Sequence, residues 1–486
     1  MKNYFLILAA LCCVLFIGCK KEEGFGSSDN EDKTEQKPGD NGDNSDDQNE
    51  DKTEQKPGNN GDNSDDQNEE SSKIPENMEL AFPDPLFREY VLRNFDTDGD
   101  GKISEEEALA VTEIYVGYSY DDIKSLKGIQ YFTNLTYLDC YGNQLTSLDV
   151  SNNTQLIWLR CYSNRLTTLD VSKNTELIRL YCYSNQLTTV DVSKNTKLTE
   201  LRCSSNKLTT LDVSKNTELK CLYCESNKLT TLDVSKNTKL TDLRCGVNQL
   251  TTLDVSKNTK LDWLGCSSNQ LTTLDVSKNT ELIRLYCYSN QLTTVDVSKN
   301  TALTVLNCGS NQLTTLDVSK NTELTQLSCD SNQLTTLDVS KNTELTTLIC
   351  SYNQLTTLDV SKNTELKELR CNSNQLTTLD VSKNTEMTGL YCGSNQLTTL
   401  DVSKNTELIR LSCYSNQIEE LDLSKTNLVN SPNNRDSTSL YPLSCAPMGT
   451  LKKVYLKKGW RIKGVTKDWN RSSKYIPDHT EIIFVD

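Results

Sequence analysis

Hydrophobic and polar positions recur along most of this chain with a fixed step. From Leu135 a 21-residue unit reads LxxLxCxxNxLTTLDVSKNTx and runs through fourteen copies, its cysteines at 140, 161, 182, 203, 224, 245, 266, 287, 308, 329, 350, 371, 392 and 413. Asparagines keep the same step from Asn143 to Asn416. A unit this short buries its apolar face only against its neighbours, so the copies must stack, and the ends of the stack need covers. Residues 108–134, with Ile114, Val116, Ile123, Leu126, Ile129 and Phe132, read as a degenerate first repeat. After Leu423 the pattern decays, and residues 451–486 alternate as strands through Val454, Leu456, Ile462, Ile482 and Phe484. That Lys- and Arg-rich end reads as a C-terminal β cap, with a basic glycan-binding patch as the alternative.

LxxLxCxxNxL resembles the leucine-rich repeat over about 290 residues. The resemblance implies a β-rich solenoid with few helices, parallel strands on its concave face, and an asparagine turned inward to bond backbone groups at each bend. Cysteine at the third core position is a departure from the common pattern. Fourteen thiols in an exported chain would ordinarily suggest disulfides. In register on parallel strands about 4.8 Å apart, however, the side chains point the same way and do not face each other, so they read as small buried hydrophobes. With one histidine and a single CxxC pair, Cys221 and Cys224, a metal ladder has little to build on.

Ahead of the repeats, Asp84-Pro85 reads as a helix N-cap followed by proline at the first helical position, with Phe87, Val91 and Phe95 at i, i+4 and i+8. The helix runs into Asp96-Thr-Asp-Gly-Asp-Gly-Lys-Ile-Ser-Glu-Glu-Glu107, which resembles the EF-hand calcium loop. In that pattern Asp96, Asp98, Asp100 and Ser104 offer side-chain oxygens, Lys102 its carbonyl and Glu107 a bidentate carboxylate, while Gly101 makes the turn. A structural calcium ion that fixes the helix capping the solenoid is expected; a solvated acidic turn is the plain alternative.

The N-terminus changes the cellular picture. Lys2 is followed by an apolar run from Tyr4 to Ile17, too short to span a bilayer, and then by Gly18 and Cys19. Phe16-Ile17-Gly18-Cys19 resembles a lipobox, which implies acylation of Cys19; an ordinary cleaved signal is the alternative. Lys20-Lys21-Glu22-Glu23 is similar to the charged tag of surface-exported lipoproteins, implying an outer-membrane anchor that faces outward. Residues 24–73 contain no Leu, Ile, Val, Trp or Tyr, repeat EDKTEQKPG at 31–39 and 50–58, and carry 16 Asp and Glu against 5 Lys. Such a segment cannot offset its ordering entropy and reads as an extended acidic tether. It holds about 11 of the net 16 negative charges, and nothing in the remainder suggests a nucleic-acid partner. The organisation expected is thus signal peptide 1–18, anchored linker 19–73, calcium loop and N-terminal cap 74–134, solenoid 135–429 and C-terminal cap 430–486.

NQLTTLDVSKNT hardly changes between copies, whereas the residues beside each core Leu and Cys vary freely. On a leucine-rich solenoid these are the concave-face side chains. They include Tyr137, Tyr141, Trp158, Arg160, Tyr162, Arg179, Tyr181 and Tyr183, then Trp263, Arg284, Tyr286 and Tyr288. Tyr, Trp and Arg dominate binding hot spots. Two plainer readings stand beside this one: residues 176–196 and 281–301 are identical, so duplication shaped part of the pattern, and aromatic side chains can simply stack to stiffen a ladder. The chain resembles internalin-like surface proteins, which implies a protein ligand on a host or neighbouring cell. Glycan capture and a passive stalk are the rivals. No convergent set of nucleophile, base and stabiliser appears, so an enzyme is not expected.

Overall fold

The inward Leu of each LxxLxC makes a strand because its two neighbours point away from the core. A computed structural model describes residues 73–117, 122–428, 443–446, 448–458, 476–477 and 479–485, all within the compact unit Asp65–Asp486. Each of the fourteen repeats contributes three extended residues, from β2 (Tyr137–Asp139) to β15 (Arg410–Ser412), and β1 (Glu113–Tyr115) precedes them. Pairing is parallel with a register of one repeat, as in Leu138 beside Leu159 and Leu159 beside Leu180. The chain is therefore the leucine-rich solenoid that the resemblance implied, its core a set of columns. In the second repeat Leu156, Leu159, Cys161, Leu166 and Val171 are fully buried. Each such Leu contributes roughly 1.5–3 kcal/mol by leaving water.

Polar ladders close the bends. Asn164 donates from Nδ2 to the carbonyls of Cys140 and Cys161 at 2.9 and 3.2 Å, and its Oδ1 accepts from Leu145 N–H at 3.0 Å. The residue before each of these asparagines adopts a left-handed conformation: Gly142 in the first repeat at φ 68°, then mostly serine, with Val247 at φ 53° and Tyr352 at φ 55°. A second ladder, from Asn153 to Asn405, was not foreseen. Its members are fully buried in the SKNT turn, SNNT in the first repeat, and Asn174 donates to Val150 O and Asn153 O at 2.9 and 2.8 Å.

Both ends are covered. At the start, the described residues before β1 form three short helices: α1 (Met78–Ala81), α2 (Pro85–Phe95) and α3 (Glu105–Ala110). Asp84 caps α2 through Oδ1, while its Oδ2 accepts from Lys124 and Ser125 N–H at 2.8 and 3.1 Å. Phe82 and Phe95 then set their rings 6.0 and 5.6 Å from that of Phe132, closing the first coil. At the other end the chain extends two sheets at once. β17 (Leu443–Ser444) adds to β15, and β16 (Glu420–Asp422) begins a parallel sheet completed by β18 (Lys453–Lys457) and β19 (Glu481–Val485). Cys19 and the acidic segment through residue 72 lie outside the described residues.

Candidate binding face and calcium loop

The loop between α2 and α3 is folded by its own carboxylates. Asp96 accepts from Gly99 N–H through Oδ1 at 2.7 Å and from Gly101 N–H through Oδ2 at 2.9 Å; Asp98 accepts from Asp100 N–H and Asp100 from Lys102 N–H. Gly99 and Gly101 have φ of 76° and 79°, which an L side chain would resist. Ser104 and Glu107 form a capping box at the start of α3. Glu107 accepts from the Ser104 N–H at 2.9 Å and from the Thr97 N–H and hydroxyl at 2.6 and 2.7 Å, and these donors, Ser104 foremost, hold its carboxyl down at about 2. Asp96, Asp98 and Glu107 bring carboxylate oxygens within 4.8 Å of one another. Asp100 is not in that group. Three converging hard oxygen donors on a loop with the turn glycines in place suit calcium, and the residues present fit the ion.

The twelve concave-face residues divide into two clusters. In the first, Arg160 is the centre. It donates to Asp139 Oδ2 at 2.7 Å and to the hydroxyls of Tyr137 and Tyr162 at 3.1 Å each, and lies over the rings of Tyr141 and Tyr162 at 5.3 and 5.5 Å. Asp139 is nearly inaccessible, and burial raises its carboxyl despite the guanidinium beside it. Tyr141, Tyr162 and Tyr183 form a stack, with centroid separations of 4.6 and 4.2 Å and planes within 14° of parallel. Trp158 sits between Tyr137 and Tyr181, edge to face with both, while Arg179 covers its ring at 4.7 Å. All eight residues expected in this patch thus belong to one network. They are more enclosed than free concave-face side chains would be: Tyr181 is buried, because adjacent strands bring large side chains into mutual contact.

The second cluster lies five repeats on. Arg284 covers Trp263 at 4.6 Å, and Tyr286 lies 5.8 Å from the indole, nearly reproducing the separations among Arg179, Trp158 and Tyr181. Tyr288 holds the place in its repeat that Tyr183 has in the third. Between the clusters runs a ladder in which guanidinium and ring alternate. Arg202 is 4.5 Å from Tyr181 and 4.9 Å from Tyr223; Arg244 is 4.3 Å from Tyr223 and 4.0 Å from Trp263. Glu200 pairs with Arg202 at 2.5 Å, and Asp242 accepts from Arg244 and from the Tyr223 hydroxyl. Two further groups join the first patch. Tyr115 of β1 lies 4.9 Å from Tyr137, and Ile157 and Ile178 are exposed beside it. The single-chain signal for Tyr115 was its place in the degenerate repeat; Ile157 and Ile178 stand where most copies carry Thr, Lys or Asp.

No protein-family model matches the chain, and no curated protein does. Solved structures do. The functional domain of InlJ from Listeria monocytogenes, described as including a cysteine ladder, is 38% identical with a TM-score of 0.70, over 78% of this chain and 82% of that one. The chain belongs to the internalin-like leucine-rich-repeat proteins. The internalin InlF of the same organism is 25% identical at a TM-score of 0.58, covering 69% of this chain and 96% of its own. A leucine-rich-repeat protein of Leptospira interrogans is 26% identical at 0.51, over 61% and 76%. In this internalin-like chain the ladder cysteines are buried and free of disulfides among the described residues, and burial pushes thiols such as Cys182 and Cys266 up to about 12.

Proposed function

We propose that this protein is a surface-displayed binder that grips a protein partner with the concave face of its first eight repeats. The observation that carries this reading is the packing of the aromatic side chains against one another. A sugar ring stacks on an open aromatic face. Here the faces of Tyr162 are taken by Tyr141 and Tyr183, and Trp263 is flanked by Arg244 and Arg284 from the strands on either side. What remains outward is ring edges, hydroxyls, guanidinium edges and the exposed Ile157 and Ile178. Such a surface is rigid before it binds, so little side-chain entropy remains to be lost, and its residue types are those of protein hot spots.

Calcium at Asp96, Asp98 and Glu107, with Asp100, Lys102 and Ser104 completing the shell, is part of the same proposal. It would tie α2 to α3 and so stiffen the cover over Phe132. Acylation at Cys19 would fix the chain to a membrane, with the acidic segment as spacer.

The test is adhesion of beads coated with the purified protein to candidate target cells. Ile157→Asp with Ile178→Asp changes exposed groups and should reduce attachment at least tenfold while the circular dichroism spectrum and melting temperature stay unchanged. Protease treatment of the target should abolish attachment and glycosidase treatment should not. The opposite pattern would favour glycan capture. Attachment unaffected by the double variant would leave a passive stalk.

A further inference from the structure

The cysteine ladder ends differently from the way it runs. From Cys140 to Cys413 the rungs come from coils one repeat apart, each coil pinned by backbone hydrogen bonds to the next. Cys392 N–H donates to Ser412 O at 2.7 Å, for example, and Cys413 N–H to Ser444 O at 2.9 Å. One more rung follows. Cys445 stands 32 residues after Cys413, beyond the two-residue strand β17, and its Sγ lies 3.3 Å from Cys413 Sγ. This is the one thiol–thiol hydrogen bond among the described residues.

Register explains the approach. Leu411 pairs with Leu443 and Ser412 with Ser444, so Cys413 and Cys445 come next and stand side by side. The strand spacing of about 4.8 Å is common to every rung and lies inside the roughly 4.4–6.8 Å between Cα atoms that a disulfide requires; what sets this pair apart is that its two sulfurs turn toward each other, to 3.3 Å. An interior pair would have to draw two coils together against ladders on both sides to reach a bond of about 2.05 Å. Among the described residues β17 is the edge of its sheet and pairs only with β15, so the last rung can close without disturbing the stack.

We propose that Cys413 and Cys445 form a disulfide, the single crosslink in an otherwise reduced ladder, which fastens the C-terminal cap to the last repeat. The oxidant is a low-molecular-weight or protein disulfide. A Cys445 thiolate, exposed while the cap is open or before it has folded, attacks one sulfur of that disulfide and releases a thiolate. Cys413 then attacks the mixed disulfide and releases the second. Two protein thiols become one S–S bond, two electrons pass to the oxidant, and the two protons go to its leaving thiolates. Once the cap is shut both sulfurs are inaccessible, which protects the thiols before reaction and the bond after it.

The experiment refolds the purified chain with oxidised glutathione, unfolds it in denaturant with an alkylating agent, and maps the unreduced tryptic peptides. Trypsin cuts at Lys425 and Arg435, so the two cysteines separate onto different peptides. The expected result is one linked pair, Cys413 with Cys445, two hydrogens lighter than the separate peptides, with the ladder cysteines from 140 to 392 alkylated. Hydrogen exchange at Leu443 and Ser444 should slow roughly 100-fold or more, the size of effect that closing a loop of this length carries. Cys445→Ser should remove both signatures, while Cys392→Ser should keep the link. Complete alkylation of Cys413 and Cys445 in the oxidised protein, or crosslinks spread over several rungs, would overturn the proposal.

Discussion

Replacing Arg160 by Met keeps the length of the side chain and removes its charge, which leaves Asp139 as a buried carboxylate without its cation. The wild-type contact is an ion pair of 2.7 Å in which the Asp139 side chain is 6% exposed and that of Arg160 27%. Breaking a buried pair by removing one partner costs about 3–5 kcal/mol; the partial exposure of the arginine moves this pair to the lower end, about 3 kcal/mol. The pH dependence is the sharper readout. Burial already raises the folded-state pKa of Asp139, and loss of the guanidinium raises it further. A carboxyl that takes up its proton more readily folded than unfolded favours folding fully below its unfolded pKa, and that contribution is lost as pH rises through the folded value. Arg160→Met should therefore be weak at neutral pH and recover relative to wild type as pH falls into the carboxylate range. Guanidinium melts of both proteins between pH 4 and about 7.5 measure this. Asp139→Asn in the Arg160→Met background should remove the pH dependence and restore about half or more of the loss. A variant whose deficit is the same at every pH, or below about 1 kcal/mol, would refute the view of Arg160 as the charge that makes this carboxylate tolerable.

Calcium at several millimolar should bind once and stabilise the protein by about 1–2 kcal/mol, given the affinity usual for extracellular loops; calorimetry should find no uptake in Asp96→Ala, and equal melting of wild type with and without the ion would end the calcium proposal. Val247 is a β-branched residue held at φ 53° and exposed, so Val247→Asn should stabilise by about 1 kcal/mol in denaturant melts, and a loss of stability would show that the strain is absent. Asn290→Ala removes an acceptor from Leu271 N–H and a donor to Cys266 O and Cys287 O, and should cost about 3–5 kcal/mol. Asn279→Ala, which loses only donations to Val255 O and Asn258 O, should cost about 2–3 kcal/mol; the reverse order would mean the two ladders have been ranked wrongly.

The sequence by itself determined the solenoid, because periodicity is a property of the chain. Leu at the inward strand position, Cys beyond it and Asn at the bend repeat with one step, and stacking is the way such units bury their faces. The helix from Asp84, the turn glycines of the acidic loop and the outward columns of Tyr, Trp and Arg were legible for the same reason: each is a local pattern with a local cause. What the chain could not tell was how neighbouring coils meet. Residues 21 apart become partners only when the strands lie at their final spacing. Tertiary structure decided that Tyr141, Tyr162 and Tyr183 form the stack that the sequence offered as one of two readings, and gave Asp139 a buried place under Arg160. It likewise made the invariant asparagines of SKNT a second buried ladder, where the sequence offered only an unvarying turn. The C-terminal cap is the clearest case. Cys445 lies outside the repeat, and nothing in its spacing marks it as the ladder's last rung. Only the pairing of β17 with β15 brings its sulfur to Cys413.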